Sequence, residues 1–215
     1  MSEKTTLITG GTGDLGHVVV PRLLRDYRCV LLYRTQSEWE RLVAYVGSSD
    51  RLIGYPGLVS DESSVRRGAE RAAPLYGIVH LVGGFSPMST TEAFEQMLEL
   101  NLLSAVRMIR GALPEVSDGG RVVAMSSNAT VAKNGAAAYT VAKSALNAYI
   151  EVLANELRPR RITSNALLSG AMDTPQNRES MKGTTLVPRE SVADAIAFLL
   201  SDASANITGQ LIAIG

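Results

Sequence analysis

Thr5-Thr6-Leu7-Ile8-Thr9-Gly10-Gly11-Thr12-Gly13-Asp14-Leu15-Gly16 runs from a short apolar strand, through a glycine-rich turn, into a helical pattern over Leu15–Tyr27. Glycine permits a tight turn and a close approach of backbone to a ligand. The start of the following helix offers unpaired N–H groups and a partial positive charge. A strand, this glycine spacing and a helix in that order are the context a dinucleotide site requires. Asp14 is the odd residue, because a carboxylate beside a pyrophosphate is unfavourable. It is expected to face solvent or to cap N–H groups of the first helical turn.

Outward from this stretch, short apolar runs alternate with longer helical patterns. The expected strands are Thr5–Thr9, Arg28–Leu32, Arg51–Gly54, Gly77–Val82, Arg121–Ser126, Arg161–Leu168 and Gln210–Ile214. The expected helices lie near Leu15–Tyr27, Glu38–Val46, Glu62–Ala73, Thr90–Val116, Ala137–Leu157 and Arg189–Leu200. Ser37 with Glu40, and Ser89 with Glu92, have capping-box spacing. Asp61 suits an N-cap and Pro188 a first helical turn. Alternating strands and helices predict an α/β fold of three layers, doubly wound in the Rossmann manner around a mainly parallel seven-stranded sheet. No repeat or linker divides residues 1–215, so one nucleotide-binding domain is expected.

Lys and Arg together number 21, as do Asp and Glu. A balanced charge gives no pull toward nucleic acid or an anionic membrane. No apolar run approaches the ~18 residues of a spanning helix. Met1-Ser-Glu-Lys-Thr leads directly into the first strand without a signal-peptide pattern. The single cysteine, Cys29, lies in an apolar run and reads as a core residue. A cytoplasmic setting is expected, and no metal site is assigned.

The chemistry resides in Tyr139-Thr-Val-Ala-Lys143. Four residues apart on a helix, Tyr139 and Lys143 share a face. A free tyrosine has a pKa of about 10. A neighbouring ammonium favours the phenolate and is expected to lower it. A phenol so tuned can exchange a proton with a carbonyl oxygen. A serine at the end of the preceding strand, Ser126 or Ser127, can hydrogen-bond the same oxygen. After the second strand no acid occurs until Glu38, whereas Arg34 is placed to pair with a ribose 2′-phosphate. This spacing favours NADP(H), with NAD(H) possible.

Together these features resemble the short-chain dehydrogenase/reductase family, in its short single-domain branch, over essentially the whole chain. The resemblance implies Tyr139 as general acid/base and Lys143 as the residue that holds the nicotinamide ribose and lowers the tyrosine's pKa. It implies Ser127 as the group that orients the substrate oxygen and Asn101 as the holder of a relay water. The alternative for Asn101 is a buried helix asparagine satisfied by backbone. Cofactor contacts implied by the match are Gly10, Thr12, Gly13, Asp14, Leu15, Gly16, Arg34, Leu58, Val82, Gly83, Gly84, Tyr139, Lys143, Gly170, Met172 and Thr174. Counting back from Tyr139 by the family's spacing selects Ser126. Aligning from Arg121 selects Ser127 and places a one-residue deletion in the loop after the strand. Loops absorb deletions more readily than strands, so Ser127 is preferred.

The departures are specific. Asp14 occupies the usual middle glycine position, giving a G-x-x-G-x-x-G spacing like that of the extended branch of epimerases and dehydratases. Those chains carry a longer C-terminal substrate region, for which 215 residues leave no room. His80-Leu81-Val82-Gly83 stands where Asn-Asn-Ala-Gly is common, and His80 reads as a strand residue supporting the turn. Leu58 replaces an aspartate that often meets the adenine, and Ser169-Gly170 replaces Pro-Gly. Gly83-Gly84-Phe85 and Asp173–Met181 resemble segments of dihydropteridine reductases and related bacterial reductases. Phe85, Met88, Met172 and Met181 are candidates to line an open substrate pocket. The expected activity is transfer of hydride between NADP(H) and a small carbonyl compound or its alcohol. The alternatives are a dihydropteridine reductase-like enzyme, an epimerase or dehydratase, and a non-catalytic NADP(H)-binding regulator. The resemblance also implies a homodimer or homotetramer joined through the helices of Thr90–Val116 and Ala137–Leu157.

Overall fold

A computed structural model describes residues 3–132 and 136–215. Met1, Ser2 and part of the loop assigned the deletion lie outside them. The strands are β1 (Thr5–Thr9), β2 (Arg28–Tyr33), β3 (Leu52–Pro56), β4 (Leu75–His80), β5 (Val116–Ser127), β6 (Thr163–Ser169) and β7 (Leu211–Ile214). The helices are α1 (Gly16–Leu23), α2 (Gln36–Val46), α3 (Glu62–Ala72), α4 (Thr91–Leu98), α5 (Ser104–Ala112), α6 (Ala129–Ala132), α7 (Ala137–Glu156), α8 (Pro175–Ser180) and α9 (Arg189–Leu200). The strands form one parallel sheet in the order β3-β2-β1-β4-β5-β6-β7. The chain starts in the middle, winds outward through β2 and β3, then crosses to β4 and winds the other way. The expected doubly wound sheet is therefore present.

Alternation of side chains along each strand builds a core on either face of the sheet. Leu7, Val30 and Val122 meet α3, α5 and α7, whose buried residues include Val65, Met108 and Leu146. Ile8, Leu31 and Val123 meet α1, α2 and α9 through Val19, Leu42 and Ile196. Both faces being covered explains why the central strands read as unbroken apolar runs.

Several boundaries differ from the sequence reading. β4 begins at Leu75 and ends at His80, so Leu81 and Val82 belong to the loop over the sheet's edge. β5 reaches back to Val116 and forward to Ser127. α1 stops at Leu23, two residues past Pro21, which has no N–H to give the helix. Thr35 rather than Ser37 caps α2, accepting from Glu38 N–H at 3.3 Å. Thr90 rather than Ser89 caps α4. Asp61 caps α3 as expected, and Pro188 is the N-cap of α9 rather than a residue of its first turn. The long helix expected over Thr90–Val116 is α4 and α5 joined by a π-turn, Glu99–Leu103, and closed by a 3₁₀ turn at Pro114. Neither α6 nor α8 was foreseen. Among the described residues, no helix is long and apolar enough to cross a membrane.

Candidate functional site

The C-terminal ends of β1 and β4 lie side by side where the winding reverses, and a crevice opens above such a point in any doubly wound sheet. Here it is a cleft of about 560 Å³. Gly10, Thr12, Gly13, Arg34, Leu58, Val82 and Gly83 line it, as the sequence suggested for cofactor contacts. Glu38, Ser60, Gln96, Glu99, Leu100 and Ser104 line it too and were missed. Only Glu38 carried a readable signal, its i,i+4 spacing from Arg34 at a helix start.

Gly10 turns the chain off β1 with φ +75°, and a Cβ there would stand 2.9 Å from Leu81 C and Val82 N. Only glycine lets the turn lie against the segment after β4. The turn is closed by Gly13 N–H on Gly10 O at 3.1 Å and by His17 Nδ1 near Gly13 O at 2.9 Å. Asp14 is exposed, one of the two placements expected, and its carbonyl accepts from Arg189 Nη1 at 2.8 Å. The Leu15 side chain is buried in the core, so only its main chain faces the turn. Gly16 opens α1 and is buried.

At the outer end of the cleft, the Arg34 side chain is 71% exposed and its Nη2 donates to Glu38 Oε1 at 2.5 Å. That partner holds the Glu38 carboxyl below its usual range. Leu58 is exposed and lines the same cleft.

Beyond the inner end of the cleft lies a more buried group of side chains. Lys143, 4% exposed, donates from Nζ to Met125 O at 2.8 Å. Burial brings its ammonium down to about 8. Tyr139 lies one turn earlier on α7, and burial pushes its phenol up while a hydrogen bond with Ser127 pulls the other way. The expectation that Lys143 lowers the phenol's pKa is therefore corrected. The ammonium is turned to a main-chain carbonyl, and desolvation of the phenol dominates. Ser127 Oγ accepts from Ala129 N–H at 3.2 Å. Among the described residues Ser126 Oγ is buried with no hydrogen-bond partner, so the two serines occupy different environments.

Asn101 sits in the π-turn, fully buried. Its Oδ1 accepts from Gly84 N–H at 3.1 Å, and its Nδ2 donates to Gly84 O at 3.0 Å and Met97 O at 3.2 Å. The amide is thus committed to main chain, the alternative left open by the sequence. Gly170 N–H is bonded to Ile214 O, and Met172 bridges to Val187. Thr174 Oγ1 caps α8 by accepting from Asn177 N–H at 3.2 Å. These three residues, with Gly84, Ser127, Tyr139 and Lys143, lie outside the wall of the cleft. The Phe85 ring, 67% exposed, stands edge-on to the Tyr139 ring with centroids 5.2 Å apart.

Comparison with known proteins agrees with this geometry. The chain is similar to human "Dehydrogenase/reductase SDR family member 4", at 28% identity covering all of this chain and 87% of the relative. It is equally similar, at 28%, to the "Uncharacterized oxidoreductase YmfI" of Bacillus subtilis, covering 99% of this chain and 97% of the relative. Among solved structures it resembles a blue fluorescent protein from a metagenomic library in complex with NADPH. That match has a TM-score of 0.88 and 25% identity, covering 98% of this chain and 95% of the other. With the family model for short chain dehydrogenases matching residues 4–184, the chain belongs to the short-chain dehydrogenase/reductase family and is an enzyme of that family.

Proposed function

We propose that this enzyme is an NADP(H)-dependent oxidoreductase acting on a small carbonyl compound or its alcohol. The carrying observation is that Tyr139 and the buried Lys143 stand one turn apart on one face of α7, with Lys143 Nζ reaching the end of β5 at Met125 O. A phenol held in its acid form suits donation, so reduction is the proposed direction.

The residues present fit a nicotinamide dinucleotide. The cleft at the switch point is walled by the glycine turn, where a Cβ at Gly10 would block the backbone's approach. Arg34 at its outer end suits a 2′-phosphate. The similar structure solved with NADPH supports the same reading. When bound, the nicotinamide supplies the hydride or takes it up.

The chain's own residues do the rest. Tyr139 gives its phenolic proton to the substrate oxygen, and Ser127 donates a hydrogen bond to that oxygen and holds it. Lys143 keeps a positive charge near the phenol as the proton leaves. Asn101, its amide taken up by Gly84 and Met97, braces the glycine segment beside Lys143 rather than holding a relay water by its side chain. Gly170, Met172 and Thr174 are proposed nicotinamide contacts.

A second reading rests on Phe85. An exposed ring standing on Tyr139 is a platform for a planar substrate, which favours a dihydropterin among the carbonyl candidates. We also propose a single domain over residues 1–215, a cytoplasmic setting, and a homodimer or homotetramer. Leu103, Val141 and Val152 are exposed on the π-turn and α7 and support helix-mediated assembly; light scattering would test it.

Titration with NADPH and NADH, followed by net oxidation of NADPH against carbonyl and pterin substrates, tests the function. Tight NADPH binding with substrate-dependent consumption is expected. Binding of neither nucleotide would overturn the reading. Tightly retained cofactor without net turnover would favour an epimerase, and binding without chemistry a regulator.

A further inference from the structure

Thr9, His80, Ser104 and Leu100 form a buried chain of hydrogen bonds that crosses from the sheet to the π-turn. Thr9 Oγ1 lies 2.8 Å from His80 Nδ1, His80 Nε2 lies 3.2 Å from Ser104 Oγ, and Ser104 Oγ lies 2.6 Å from Leu100 O. The protons can be placed without ambiguity. A carbonyl only accepts, so the Ser104 hydroxyl proton points to Leu100 O. Toward His80, Ser104 must then accept, which puts a proton on Nε2. A neutral imidazole leaves Nδ1 bare, and Nδ1 accepts from the Thr9 hydroxyl. His80 is fully buried, and burial together with the nearby Lys143 charge brings its pKa down to about 3. Thr9, Ser104 and Lys143 are the polar and charged side chains that face it.

The far end of this chain is the irregular part of the helix. Ser104 N–H reaches back five residues to Glu99 O, while its hydroxyl takes Leu100 O. Asn101, next to Leu100, grips Gly84 through both its main-chain groups. A methyl on Gly83 would lie 2.9 Å from Asn101 Oδ1 and 3.1 Å from Lys143 Nζ. The glycine segment, Asn101 and Lys143 are thus packed to within less than one methyl group. Conversion of the π-turn to plain α-helix would rotate Asn101 by about 100° relative to α5.

We propose that His80 is a positioning residue for the reaction: as the neutral Nε2–H tautomer it bolts the π-turn to the ends of β1 and β4, and so sets Asn101, Gly83-Gly84 and Lys143 in place. This goes beyond support of the loop after β4. It rests on the proposed function only in its kinetic consequence. A π-turn is costly within a helix and is common at functional sites. Here the anchor is a strand residue with one acceptor and one donor at opposite ends of a rigid ring.

Two experiments test it. Nitrogen-15 NMR of the imidazoles, with His17→Gln to assign the second histidine, should show His80 with Nε2 protonated, Nδ1 bare and no titration between about pH 5 and 8. A proton on Nδ1, or titration near 6.5, would overturn the proposal whether or not the enzyme turns over any substrate tried.

In kinetics, His80→Leu and Ser104→Ala should each lower kcat by about 10- to 100-fold and displace its pH profile. His80→Gln keeps an acceptor and a donor, and should recover to within about fivefold of wild type with the original profile. A His80→Gln no better than His80→Leu would defeat the idea, as would full activity in the leucine variant. Should the leucine variant not fold, Ser104→Ala decides alone, its full activity counting against the proposal.

Discussion

The outer end of the cleft and the buried group beyond its inner end are built on opposite principles. Beyond the inner end, Lys143, Asn101 and His80 are buried, and each is committed to named partners. At the outer end, Arg34 projects into solvent and is paired with Glu38. Buried polar groups are costly unless satisfied, so the buried group can exist in few arrangements. An exposed ion pair contributes about 0–1 kcal/mol and can be exchanged cheaply for another anion. The proposed reaction end is therefore rigid and chemically defined, whereas the proposed nucleotide end is adaptable.

Substitutions can break this contrast. The largest effect is expected from Tyr139→Phe, which removes the proton donor and should cut kcat about 1,000-fold while leaving cofactor binding nearly intact. Near-normal turnover by this variant in steady-state assays would break the contrast at its centre.

Lys143→Met tests the cost of burying a charge. A displacement from the ordinary 10.5 to about 8 corresponds to roughly 3 kcal/mol against the charged form. Between those values the folded protein binds fewer protons than the unfolded chain, so wild-type stability rises with pH across that window. Below pH 8 the cost is fully present. The methionine variant should be more stable at pH 7 by about 1–3 kcal/mol and inactive, with a flatter stability profile from pH 8 upward, read by urea denaturation. A less stable variant would mean that the bond to Met125 O outweighs the buried charge.

The serines sharpen the comparison within the buried group. Ser127→Ala should lower kcat by about 100-fold. Ser126→Ala removes a hydroxyl with no partner among the described residues, and its activity and melting temperature should hold or rise. The reverse pattern would transfer the role to Ser126.

The smallest effects belong to the outer end. Arg34→Leu should weaken NADPH by about tenfold and leave NADH unchanged. Glu38→Gln, which frees the guanidinium, should tighten NADPH by roughly threefold. Equal changes for both nucleotides, measured by fluorescence titration, would detach Arg34 from the 2′ group.

How much of the molecule was legible depends on the range over which each feature is determined. The strand–turn–helix of Thr5–Leu23 could be read directly, because glycine spacing and apolar runs act within a few residues. Tyr139 and Lys143 could be placed on one helical face by spacing alone. The π-turn was invisible, since Glu99–Leu103 has ordinary helix composition and the residue that follows it is bonded to His80 on another element. Thr35 and Thr90 displaced the expected caps because neighbouring hydroxyl residues offer equivalent local chemistry.

The pKa values mark the boundary most clearly. Residue type and i,i+4 spacing were enough to bring a phenol and an ammonium together and to predict that one would acidify the other. Burial raised the phenol instead and lowered the ammonium, because desolvation depends on everything packed around a group. Which residues share one helical face or one turn is a matter of local pattern and was written in the chain. Their protonation, the tautomer of His80 and the placement of Ser127 rather than Ser126 beside the phenol arise from contacts between residues far apart in sequence. Only the assembled sheet and its helices decide them.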